Sequence, residues 1–427
     1  METDAASRYD FSNNLPRRNN SQRIFAVLAF SGGGTRAAAF SYGVLKGLRN
    51  TDIQIDGRHR RLLDEVDVIS SVSGGSFTAA YYGLFGNRIF DDYEHKFLKR
   101  DVSGDMIARL LDPTALASLT SSHYNRGDLA ASWLADNLFE HKTFADMSHE
   151  PRPFVIINAS DLNTGLTFSF VQQQFDFLCS NLKPYPVANA VMASAAMPVI
   201  FAPVAVRNFD TNCRERNESW VPAVLKRRDL FTREYQVARG LSRYFDPRTL
   251  PIVRLVDGGV TDNLGVRGSM MSPIAHYGNV ADMAGAFSRE ALDKVTDVLV
   301  VVANAQIYGD YDWSRSGSDP GVAEMLYSSF DSAVDILSTE TVSLAKSGFQ
   351  MWADQINARR ASNTAKVQVN FATLTFDGIA DPKKRAHFNA IPTTLSLPAR
   401  DVDDLEFLAE DLLSQSTEYQ NFVRYLR

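Results

Sequence analysis

Three short stretches carry residues able to do acyl-transfer chemistry. In Ile69-Ser70-Ser71-Val72-Ser73-Gly74-Gly75-Ser76 an apolar segment, Val66 to Ile69, runs into Ser73, and a helix-like segment from Phe77 to Leu84 follows. Strand, tight turn with a serine at its apex, then helix is the layout of a nucleophile elbow, whose strained turn requires small residues two positions to either side. Here these are Ser71 and Gly75, so the usual G-x-S-x-G reads S-x-S-x-G. Taken alone, a small-residue serine turn is more often structural than catalytic. The second stretch, Gly32-Gly33-Gly34, bares backbone N–H groups at the start of a helical pattern, where they point at an anion. It lacks the Lys of a phosphate-binding P-loop and the spacing of a dinucleotide fingerprint, which leaves an oxyanion hole or a plain tight turn. The third is Asp257-Gly258-Gly259, directly after an apolar strand pattern. A carboxylate there is either a general base, helped by burial that raises its pKa, or an Asp that pins a turn.

The elements that position these residues read as βα units. Arg23 to Phe30 is a buried strand, followed by the Gly triplet and a helix over Ala37 to Leu48; Val66 to Ile69, the serine turn and the Phe77 to Leu84 helix repeat the order. Such units predict a mostly parallel central sheet flanked by helices, with ligands at the carboxyl ends of the strands, where both turns lie. Pro153 to Ala159 and Thr167 to Val171 suggest a hairpin across Asn163-Thr164-Gly165. Pro186 to Met197 reads as a small-residue helix, Phe201 to Val206 as a short strand, and Ile252 to Val256 and Val298 to Ala303 as further strands. A long helical stretch, Val322 to Arg360 with a possible break near Gly348, an edge strand Val367 to Phe376 and a closing helix Val402 to Leu426 complete the chain. The expected organisation is a flexible segment over 1–22 and one domain over 23–427, mainly helical from about 306.

Residues 207–254 hold eleven Arg/Lys and six Asp/Glu, a net of +5 within a chain of −6 overall. Val221 to Phe245 has apolar residues at helical spacing with arginines between them. It is expected to be a basic insertion, about 207–250, that either packs on the core with a solvated face or serves as a lid or membrane-facing surface. The overall acidic balance gives no support for nucleic-acid binding. The seven histidines form no metal-ligand pattern, so no metal site is expected. No apolar run reaches the roughly 18 residues of a membrane span.

Together the three stretches resemble the patatin-like phospholipases, whose pattern is G-G-G-x-R/K, G-x-S-x-G and D-G-G/A in that order. Here it reads Gly32-Gly33-Gly34-Thr35-Arg36, Ser71-Val72-Ser73-Gly74-Gly75 and Asp257-Gly258-Gly259. Ala159 to Gly165, Ala193 to Pro198 and Asp262-Asn263 also look like the family. The resemblance covers roughly residues 24 to 305 and departs from the pattern at Ser71. It implies a three-layer α/β/α fold and a catalytic dyad, with Ser73 as nucleophile and Asp257 as base. It further implies an oxyanion hole from Gly32, Gly33 and Gly34, with Gly74 in support and Arg36 bracing the Gly loop or facing a phosphate. The implied activity is serine acyl hydrolysis of phospholipid or lysophospholipid esters at a peripheral membrane surface, without metal or cofactor. A lipid-binding or scaffolding protein without turnover is the other reading of the same fold.

Cys179 and Cys213 flank one compact block, and a disulfide between them would stabilise by roughly 4 kcal/mol in the chain-entropy model. The cysteine pair and polar start suit the mature part of an envelope or periplasmic protein. The lack of a leader in this chain suits a cytoplasmic protein with peripheral membrane association. Oligomeric state has no signature in the sequence.

Overall fold

The computed structural model describes residues 8–10, 20–110, 126–147, 153–198, 200–209, 220–267, 294–308 and 313–426. Its frame is an eight-stranded sheet in the order β10-β9-β1-β4-β5-β8-β7, with β6 paired to β5. The strands are β1 (Ile24–Phe30), β4 (Val66–Val72), β5 (Phe154–Asp161), β6 (Leu166–Ser169), β7 (Val204–Arg207), β8 (Ile252–Val256), β9 (Asp297–Asn304) and β10 (Gln368–Thr375). β10, β9, β1, β4 and β5 run parallel. β1, β4 and β5 are buried at every residue, as strands covered on both faces must be; β1 is apolar throughout, whereas β4 and β5 start mainly apolar and end in small or polar residues. A separate hairpin, β2 (Asp52–Ile55) with β3 (Arg58–Arg61), turns at Asp56-Gly57, both at positive φ. That Asp-Gly pair is a strong hairpin signal in the sequence.

The antiparallel part of the sheet creates the site. On one edge β5 pairs with β6, Asn158 opposite Ser169 and Ser160 opposite Thr167. On its other edge β5 pairs with β4 as far as Asn158 opposite Val72, and then, at Ser160 and Asp161, with β8 running the opposite way. β4 and β8 therefore approach each other head-on along the same edge of β5. Ser73 follows the last residue of one and Asp257 the last residue of the other.

Helices flank this sheet. The main ones are α1 (Gly34–Arg49), α2 (Gly74–Phe85), α3 (Val187–Ser194), α4 (Trp220–Arg227), α5 (Arg233–Leu241), α6 (Val322–Arg359), α7 (Ala399–Gln415) and α8 (Thr417–Tyr425). Three differ from the pattern in the sequence. The basic stretch Val221 to Phe245 is not one helix: Arg228 at φ 59 breaks it, and the Thr232 hydroxyl caps α5 by accepting the Tyr235 N–H at 3.2 Å. The closing helix divides at Ser416, whose extended ψ of 122° ends α7 and whose hydroxyl accepts the Tyr419 amide to start α8. Conversely, α6 runs unbroken through Gly348, because one glycine costs only about 1 kcal/mol within a helix. No helix among the described residues is long and apolar enough to cross a membrane.

One apolar core extends from Tyr9 through the sheet to Leu426. Described residues of the amino-terminal segment contact this core and its rim. Tyr9 is buried, its hydroxyl donates to the Val155 carbonyl at 2.8 Å, and its ring meets Phe144 and Phe154. Ser21 donates through its hydroxyl to Glu65 at 2.6 Å. Tyr9→Phe removes the hydroxyl and leaves the buried β5 carbonyl short of a donor. It should lower stability by about 1–2 kcal/mol in urea unfolding, whereas a loose segment would give no change.

Candidate active site

Ser73 sits at φ 48, ψ −119, a backbone conformation few residues other than glycine adopt, which costs of order 1–3 kcal/mol. The strain is held because β4 enters from one side and α2 leaves at once on the other. Gly75 allows the tight approach: a Cβ there would lie 2.6 Å from the Cβ of Phe30 at the end of β1. The result turns the Ser73 hydroxyl toward β8, where it donates to Asp257 Oδ2 at 2.7 Å. The other carboxylate oxygen accepts the Gly259 N–H at 2.8 Å. Asp257 is buried, and desolvation pushes its pKa up to about 6 against the lowering effect of those two hydrogen bonds. This is the environment of a carboxylate able to take a proton near neutral pH.

The Gly triplet lies across from the Ser73–Asp257 pair. The Gly32 N–H donates to the Asn263 carbonyl at 2.9 Å, which takes it away from any ligand. The amides of Gly33, Gly34 and Gly74 have no protein acceptor among the described residues and stand at the open first turns of α1 and α2. Gly34 is at φ 60, and a Cβ on it would collide with the Thr394 carbonyl. That carbonyl accepts the Thr35 N–H at 2.8 Å and fixes the start of α1. Arg36 is buried beneath the loop, donating to the carbonyls of Ala305 at 2.9 Å and Ile391 at 2.7 Å. Desolvation draws its pKa down to about 10, with Asp331 pulling the other way. Of the two roles the resemblance allowed, bracing is the one its contacts serve.

Gly34, Ser73 and Asp257 open into a cavity of about 420 Å³. Its walls are mainly apolar, with Phe77, Met106, Leu129, Met197, Phe201 and Leu395 among them. None of the described residues of 207–250 lines it. Cys213 lies outside the described residues; Cys179 occupies a left-handed backbone position at φ 50. Two clusters among the described residues could hold an ion, His387–Asp401–Asp404 and Glu94–Asp403–Glu406. Neither lines the cavity, and Lys99 already occupies the second, 2.6 Å from both Glu94 and Asp403.

The family model described as Patatin-like phospholipase matches residues 28–269, spanning the Gly triplet, the serine elbow and the Asp-Gly-Gly turn. The chain belongs to the patatin-like phospholipase family. Among solved structures it is similar to human GIVD cytosolic phospholipase A2, with 12% identity, 99% of this chain and 65% of that chain covered, and a TM-score of 0.47. The same human protein in complex with methyl gamma-linolenyl fluorophosphonate matches at 13% identity, 99% and 64% coverage, and a TM-score of 0.43. The chain thus spans less than two thirds of the length of those structures. No curated protein sequence matches it.

As a patatin-like chain it departs from the family pattern at Ser71, and the site shows how that residue is accommodated. Ser71 is fully buried, and its hydroxyl donates to the Ile156 carbonyl of β5 at 3.1 Å. It accepts from the Ser76 hydroxyl at 3.1 Å, and Ser76 in turn lies 3.0 Å from the Ser194 hydroxyl. Ser194 donates to the Asn158 carbonyl at 2.6 Å and accepts the backbone N–H of Ser73 at 2.8 Å. A chain of three hydroxyls therefore ties the elbow to β5 and α3. The sequence marked the Ala193 to Pro198 stretch by likeness alone and gave no sign that Ser194 receives the backbone amide of Ser73. Asn263 is similar: its carbonyl anchors Gly32 while its side chain fills the space beside that glycine. Ser194→Ala orphans a buried N–H at a strained residue, and should lower kcat for ester hydrolysis by about 10- to 100-fold in a protein that still folds. Circular dichroism and steady-state kinetics on the purified variant check both parts.

Proposed function

We propose that this patatin-like chain is a serine acyl hydrolase that cleaves the esters of phospholipids or lysophospholipids through a Ser73–Asp257 dyad. The observation that carries the reading is the 2.7 Å hydrogen bond from Ser73 Oγ to a buried Asp257, made at an apolar cavity wide enough for an acyl chain. Family membership supports lipid acyl hydrolysis as the general activity. In the first step Ser73 Oγ attacks the ester carbonyl as its proton passes to Asp257. The oxyanion that forms accepts hydrogen bonds from the amides of Gly33 and Gly34, with Gly74 in support. Collapse expels the alcohol, which takes the proton from Asp257. Water then gives a proton to the same carboxylate as it attacks the acyl-enzyme, and Ser73 leaves with that proton.

Access to a bilayer is assigned to the turn between α4 and α5, in keeping with a membrane-facing role for the basic insertion. Phe231 there is 100% exposed, beside exposed Leu230 and Arg228. A wholly solvated aromatic ring next to an arginine suits an anionic lipid surface.

A fluorophosphonate probe should label the wild type, and Ser73→Ala should abolish both labelling and hydrolysis. Asp257→Asn should reduce kcat at least 1000-fold. Because Asp257 must be ionised to act as base, kcat/KM should rise with pH through about 6 and level off above it. A flat profile from pH 5 to 8, or undiminished turnover in either variant, would sink the dyad. For the membrane contact, Phe231→Asp should lower hydrolysis of vesicle-borne phospholipid about tenfold while a soluble monomeric ester is cleaved at the wild-type rate. Equal rates on both substrates would remove Phe231 from the lipid surface.

A further inference from the structure

The charge around the cavity is unevenly placed. Among the described residues lining it, Asp257 is the one acidic residue, and it belongs to the proposed dyad; the two basic ones are Arg109 and Arg126. Arg36, the cation that the family pattern sets next to the Gly loop, does not line the cavity and is committed to two backbone carbonyls beneath it. Arg109 is half-buried, and its Nη2 donates to Ser132 Oγ and to Asp136 Oδ2, both at 2.8 Å. These bonds orient the guanidinium and offset part of its charge. Arg126 is exposed and has no acidic partner among the described residues. Exposed Ile107 and Ile200 line the same opening. The layout is that of an amphipathic ligand site: an apolar wall leading to Ser73, and an exposed guanidinium set within the same lining.

We propose that Arg126, with Arg109 beside the same cavity, binds the phosphate of a phospholipid head group while the acyl chain lies along the apolar wall and its ester meets Ser73. The assignment rests on the hydrolase reading given above and adds to it the residue that selects a phosphate-bearing lipid over a neutral glycerolipid. Guanidinium suits phosphate because its fixed fork of N–H donors pairs with two oxygens at once. Among the described residues Arg126 makes no ion pair, whereas Arg109 shares its fork with Asp136. Arg126 is therefore assigned the main role and Arg109 an auxiliary one.

The test uses the full chain and two lipids with identical acyl chains, phosphatidylglycerol and diacylglycerol, each presented in neutral detergent micelles. The wild type should prefer the phospholipid in kcat/KM. Arg126→Ala should lower the phospholipid-to-diacylglycerol ratio about tenfold, chiefly through KM, and Arg126→Lys should recover part of it. Since Arg126 is exposed, its replacement should leave the fold intact, and undiminished fluorophosphonate labelling of Ser73 in each variant verifies that. Raising the salt should move the wild-type ratio toward that of Arg126→Ala. A ratio unchanged by Arg126→Ala in a normally labelled protein would overturn the head-group site while leaving the hydrolase reading standing. Failure of the wild type to cleave either lipid, with no labelling of Ser73, would overturn that reading and the head-group site with it. Glycerol 3-phosphate bound as tightly as the phospholipid would assign the arginine to a soluble phosphate and overturn the lipid assignment.

Discussion

The site depends on two strands that meet end to end. β5 is longer than the part of it that β4 covers, and β8 fills the remaining edge from the opposite direction. Backbone pairing to one common strand thus sets the separation of Ser73 and Asp257, two residues 184 positions apart, at 2.7 Å between side-chain oxygens. A hydrogen bond of this kind would be weak in water. Here both residues are buried, and the low local dielectric strengthens it while raising the cost of the carboxylate charge. The elevated pKa of Asp257 follows from that burial, and so does its suitability as a base.

The strained turn at Ser73 needs support, and neighbouring segments supply it from several directions. Phe30 of β1 closes against Gly75, the Ser71–Ser76–Ser194 hydroxyls hold the turn against β5 and α3, and the Ala196 carbonyl accepts the Asp257 N–H at 2.9 Å. Every one of these contacts is buried and polar groups in it are paired, so the loss of one leaves another without a partner. Ser71 fits this scheme better than its departure from the glycine pattern suggests. The space that glycine leaves at that position is used by a hydroxyl that both donates and accepts. The departure alters how the elbow is held and leaves Ser73 hydrogen-bonded to Asp257.

The segment near Thr394 extends the site into a part of the chain where no motif was recognised. Its carbonyl holds the first turn of α1, Ile391 holds Arg36, and Leu395 contributes to the cavity wall. α7 packs along α1 behind them, with Lys46 of α1 paired to buried Glu406 of α7 at 2.9 Å. The Gly loop is therefore fastened at its far side by the carboxyl-terminal region.

The sequence by itself determined the parallel core strands, the two Gly-rich turns, the serine turn at Ser73 and the Asp-Gly-Gly turn at Asp257. Those features are local: an unbroken apolar run, a small residue beside a strained turn, a glycine where a side chain would collide. It also placed the β5–β6 hairpin, because a Thr-Gly turn between apolar runs is a local signal. Only the tertiary structure decided the direction of β8, since a short apolar strand reads the same whichever way it pairs. It alone showed that Gly32 is already engaged by Asn263, that Arg36 is buried against carbonyls, and that Ser194 receives the Ser73 amide. It also split the basic stretch at Arg228 and the closing helix at Ser416, where helical spacing continues across a break in backbone geometry. Such facts belong to contacts between distant segments, and hydrophobic periodicity carries no record of them.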